Sequence, residues 1–168
     1  MLTLMRFNIF VIFILIYGYI FTRLRKIKNK KMVKEYLNLS FVFSILFIIS
    51  LTAFPVSTSF KLDFDLNIIP FRTILYYISL GNLIEFLANV LGNIIIFVPF
   101  GFFLCIKERG NVKITLTACL LFTIGVETLQ LMLPMRTTDI DDVILNFIGG
   151  CIGMILARRF ISSYENTP

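Results

Sequence analysis

The groups able to do chemistry in this chain are carboxylates and carboxamides set into apolar sequence. Residues Asp139 to Gly153 read DIDDVILNFIGGCIG, an apolar helical stretch that opens with acids. Asp139, Asp142, Asn146, Gly149 and Gly153 are spaced by three, four, three and four residues, so a helix sets all five along one face. Asp141 points elsewhere, beside Ile144, Leu145, Ile148 and Ile152. A second stripe runs through Thr123, Glu127, Gln130 and Pro134, and Glu127 is a lone acid within an otherwise apolar span. A third follows Glu85, Asn89 and Asn93 at four-residue steps. Such groups can accept hydrogen bonds from hydroxyl or amide groups, or hold a hard divalent cation through oxygen. Histidine is absent, which removes the usual imidazole base and most transition-metal sites, so acid-base or metal chemistry must rest on carboxylates. Cys105, Cys119 and Cys151 lie inside apolar segments without paired spacing and read as small packing residues.

Positioning these groups requires a membrane. The chain is 168 residues long, 58% hydrophobic and only 15% charged, a balance outside the range of a soluble globule. The expected fold class is all-α, a polytopic helix bundle of about five spans in the cell membrane. A carboxylate at the bilayer centre costs roughly 2.5 to 3.5 kcal/mol on insertion scales, so polar stripes should face protein or a watery cavity. Gly149 and Gly153 also suit close helix packing, but packing alone requires no Asp or Asn above them.

The first expected span is Leu4 to Thr22. It is followed by the basic run Arg23 to Lys34, which holds seven of the sixteen basic residues and reads as a cytoplasmic loop in contact with anionic head groups. A second span covers about Leu37 to Phe54. The polar segment VSTSFKLDFDLNIIPF then reads as an external loop, and residues 72–87 as an interfacial or re-entrant helix, with a solvated loop as the alternative. The third span runs from Ala88 to Ile106, with Pro99 able to bend it, the fourth from Ile114 to Leu133, and the fifth is the acidic helix, with Thr138 or Asp139 as its N-cap. The positive-inside rule sets the N-terminus outside and the C-terminus in the cytoplasm. Residues 1–35 thus form an N-terminal span with its basic loop, 36–160 the main membrane domain and 161–168 a polar tail. This arrangement brings Asn89, Asn93, Glu127, Gln130, Asp139, Asp142 and Asn146 to the outer half of the last three spans, as one candidate pocket. Arg72 and Arg136 stand at its rim, able to neutralise the acids or touch an anionic head group.

The blocks NIIPF, NVLGNIIIFVPFGF, VETLQ and R-TT-DIDDVILNFIGG, in that order between about Asn67 and Leu156, resemble the VanZ-like family of membrane proteins. The matching positions are Asn67, Pro70, Phe71, Asn89, Asn93, Pro99, Gly101, Glu127, Gln130, Arg136, Asp139, Asp142, Asn146 and Gly149. The resemblance implies a small multi-span bacterial protein, in a family whose founding member is associated with resistance to the glycopeptide teicoplanin. It implies no settled reaction.

Three functions are open at this stage. An outward pocket could bind or modify an envelope lipid, a glycolipid or a lipid-linked cell-wall precursor. Glu127, Asp139 and Asp142 could instead hold magnesium against a lipid phosphate in an enzyme, although no cofactor is required by the sequence and only one acid cluster is visible. A carrier using Glu127 as a proton site is the third, weakened by the absence of a visible repeat. Membrane lipids are the expected partners; nucleic acid is not, because seven of the sixteen basic residues sit in one topogenic run. The oligomeric state is left open.

Overall fold

The computed structural model describes residues 12, 15–20, 22–23, 30–53, 65–132 and 137–165. In order, the elements are helix α1 (Lys30–Ala53), strand β1 (Asp65–Asn67), helices α2 (Arg72–Ser79) and α3 (Leu83–Phe86), a π-helical turn (Leu87–Leu91), and helices α4 (Gly92–Lys107) and α5 (Val112–Leu131). Strand β2 (Thr137–Asp139) and helix α6 (Ile140–Glu165) follow. The fold is an all-α polytopic bundle. Among the described residues four helices are long and apolar enough to cross a membrane: Lys31–Leu51, Leu87–Lys107, Val112–Leu131 and Ile140–Ser163. They correspond to the second through fifth expected spans. The first expected span lies largely outside the described residues, as does much of the basic run. Its residues 15–20 are helical, and Tyr17 packs its ring 5.6 Å from that of Phe103.

The bundle is centred on α4 and α6, which run parallel. Glycine is what lets them meet. A Cβ on Gly149 would stand 2.1 Å from the carbonyl oxygen of Ile94, one on Gly153 2.0 Å from that of Val98, and one on Gly101 2.1 Å from that of Gly150. Backbone therefore touches backbone along two turns, the arrangement that small residues permit where lipid supplies no hydrophobic drive. Helix α5 returns antiparallel after a tight turn. Its first turn is capped by Asn111, whose side-chain oxygen accepts from the Ile114 N–H at 3.2 Å. It lays Cys119 against Gly150, where an added Cβ would be 2.8 Å from the sulfur. Phe97, Phe100 and Val126 fill the space between these helices, and Phe100 stacks on Phe122 at 4.4 Å. Helix α1 contributes a narrow buried stripe, Ser40, Ser44 and Ile48, at four-residue spacing.

Two local features depart from the sequence reading, and one decides between alternatives that it left open. The segment expected to be an external loop pairs through β1 with β2 in a parallel two-stranded ladder, Asp65 to Asn67 opposite Thr137 to Asp139. Three residues of pairing carry no periodic signal, so only the closeness of the two segments in space reveals it. Residues 72–79 and 83–86 are helical, with a turn at 80–82 between them, and none of α2 is buried, leaving Leu75, Tyr76 and Ile78 exposed, as an interfacial helix requires. Pro99 sits buried within a continuous α4, and the irregularity falls earlier, at the π turn around Asn89. The wider turn re-indexes the stripe that began at Glu85, which the sequence reading treated as regular α-helix.

Candidate functional site

The polar residues of the last three spans divide into two groups. The first knits the β1–α2 segment to the start of α6. Asp139 ends β2 and acts as the N-cap of α6, its Oδ1 accepting from the Asp141 N–H at 2.9 Å. The same oxygen accepts from Asn67 Nδ2 at 3.1 Å, and Oδ2 accepts a short bond from the Thr73 hydroxyl. Asn67 Oδ1 in turn accepts from the Ile69 N–H at 3.2 Å, shaping the turn into α2. Asp141 is fully buried. Its Oδ1 accepts from the Phe71 N–H at 2.5 Å, and its Oδ2 from the Thr73 and Ile74 N–H groups at 2.9 and 3.2 Å. One carboxylate thus caps the start of α2 from another helix, and it holds Phe71 at φ 67°, a left-handed conformation rare for a bulky side chain.

Asp141 stands outside the candidate pocket read from the sequence. Its position on α6 does put it off the stripe of Asp142, on the side of Ile144 and Leu145, and the partner it meets there is the open start of α2. Asn67 and Thr73 were likewise absent from the candidate pocket. The available signal was the Asn67 turn chemistry, and nothing local named its partner more than sixty residues away.

The second group lies between α4, α5 and α6. Asn93 Nδ2 donates to Asp142 Oδ1 at 2.5 Å, joining the two parallel helices just above the glycine seam. Glu127 is buried at 3% exposure, and its main-chain carbonyl accepts from the Thr138 hydroxyl at 3.3 Å. Cys119 faces Gly150, so one turn toward the β1–β2 end along the antiparallel pair brings Thr123 to the level of Asn146, and a second brings Glu127 to the level of Asp142. Thr123 and Asn146 are both buried, and among the described residues Thr123 Oγ1 and Asn146 Oδ1 have no hydrogen-bond partner. Buried polar atoms are paired in the great majority of cases, so two orphans at one level mark a place where a donor belongs.

Three further candidates lie on described elements. Asn89 is half-buried in the π turn, a feature frequent at functional sites. Gln130 is half-buried in the last turn of α5, and Arg72 is exposed at the first position of α2. Arg136 lies outside the described residues. Among the described residues no three acids or cysteines gather as metal ligands would.

A family model described as VanZ/LLP1 matches residues 39–161, nearly the whole described bundle. The chain belongs to the VanZ/LLP1 family. It is also 35% identical over 94 residues to Protein VanZ of Enterococcus faecium, an alignment covering 55% of this chain. It spans about half (52%) of the length of that curated relative. No solved structure matches the chain. As a VanZ-like protein it is a multi-span membrane protein, and both polar groups fall within the matched region.

Proposed function

We propose that this VanZ-like protein works in the bacterial cell membrane, where its buried polar column engages an envelope lipid or glycolipid and so contributes to resistance to teicoplanin. The observation that carries the reading is the column itself: Thr123, Glu127, Asn146 and the Asn93–Asp142 pair, enclosed by three spans, with orphan oxygens on Thr123 and Asn146. Acceptors predominate in it. A partner that suits it carries hydroxyl or N–H donors, as a sugar or an amino head group does. Under the positive-inside rule the basic turn between α4 and α5 is cytoplasmic, which sets the column in the outer half of the membrane, where a glycopeptide meets its target. The similarity to Protein VanZ favours the same direction.

The test is expression in a susceptible bacterium, with susceptibility to teicoplanin measured beside the amount of protein in the membrane. Glu127→Gln and Asn146→Ala should each reduce protection at unchanged abundance, and Gly125→Ala, on an open surface, should not. Full protection from a chain carrying Thr123→Val, Glu127→Gln and Asn146→Ala together would refute the proposal.

A further inference from the structure

At the opposite end of the bundle, a cavity of about 350 Å³ opens between α1 and the end of α4. Its walls are Val33, Leu37, Phe103 and Ile106, and its polar lining is Lys34, Asn38, Lys107 and Arg109. Three cations therefore converge over an apolar floor, and among the described residues no acid joins them in the lining. Topogenic charge explains basic residues in this turn, but it does not explain convergence from separate segments onto one hollow.

Two details show that Lys107 and Arg109 are held in place. Lys107 Nζ lies 4.8 Å from the centre of the Phe41 ring, a cation–π contact that holds the ammonium against α1. Arg109 is more telling. Helix α4 ends in a Schellman motif, with the Arg109 N–H donating to the Ile106 carbonyl at 3.1 Å and the Gly110 N–H to the Cys105 carbonyl at 2.8 Å. The left-handed position of that motif ordinarily takes glycine. Here it takes Arg109, at φ 53°, with the chain's glycine one residue later. A strained residue kept where an unstrained one would fit marks a functional position when its side chain reaches a site, and this one lines the cavity.

We propose that the cavity binds the phosphate head group of an anionic phospholipid from the leaflet on the basic side, with the start of an acyl chain along Leu37, Phe103 and Ile106. Basic hollows between membrane helices on that side bind such head groups. The site is separate from the polar column and does not depend on it.

The full chain, reconstituted with equal amounts of phosphatidylglycerol and phosphatidylcholine, should retain phosphatidylglycerol preferentially in native mass spectrometry. Each cation removed should weaken that retention about fivefold. Arg109→Gly is the decisive variant, because it relieves the backbone while deleting the charge. It should unfold at the same or a higher temperature and yet lose phosphatidylglycerol, as should Lys34→Gln with Lys107→Gln. Equal retention of the two lipids by the unaltered chain, or unchanged phosphatidylglycerol retention by Arg109→Gly, overturns the proposal. So does inorganic phosphate stabilising the lipid-stripped protein as well as phosphatidylglycerol does, because the site would then take the free anion.

Discussion

Replacing Asp141 by Ala removes the acceptors of three main-chain N–H groups at once, those of Phe71, Thr73 and Ile74. Losing an N-cap costs about 1 kcal/mol, and a donor left unsatisfied away from water costs roughly 1 to 3 kcal/mol. These bonds are only partly buried, so water recovers some of the loss, and the net effect on the β1–α2 segment should be about 2 to 4 kcal/mol. Phe71 would also be released from φ 67°, since the bond that holds it there is gone. The damage should stay local, because α4 and α6 meet through glycines well below this point. Hydrogen exchange on the protein in nanodiscs measures it directly. Amides of residues 71–78 should exchange roughly 30-fold to 1,000-fold faster in Asp141→Ala, with those of α4 and α6 unchanged. Asp141→Asn keeps one acceptor oxygen and should fall between the two. Exchange at Thr73 and Ile74 within about threefold of the unaltered protein would refute the capping role.

The glycine seam makes a second prediction: Gly153→Val should abolish accumulation of folded protein, whereas Gly125→Ala, which meets nothing within 4 Å, should be neutral or stabilising by up to about 1 kcal/mol. Thermal unfolding in detergent distinguishes them, and a Gly153→Val protein as stable as the original would contradict the close approach. For the Asn93–Asp142 bond, a double-mutant cycle with alanine at each position should give a coupling of about 1 to 3 kcal/mol in unfolding free energy; additive losses would mean that the bond does not form. Thiol reactivity checks the packing of α5 on α6. A membrane-permeant maleimide should modify half-buried Cys151 in the native protein and spare the fully buried Cys105 and Cys119, all three reacting after unfolding in detergent. Loss of native labelling on Cys119→Ser would contradict that packing.

Local pattern alone determined a good deal here. Runs of apolar residues set the spans α1, α4, α5 and α6, because the bilayer admits few structures other than long helices. Three- and four-residue spacing showed that Asp142, Gly149 and Gly153 share a face, and all three meet α4. Choice among partners is what the chain left open. Asp141 and Asp142 are neighbours of one residue type, set about 100° apart around a helix, and only the packed bundle sends one to the start of α2 and the other to Asn93. The β1–β2 ladder, the cap on α2 and the level of Thr123 beside Asn146 are likewise relations between segments distant in sequence. Periodicity reports the direction a side chain takes from its own axis, and the register of one axis against another is decided only when the helices pack.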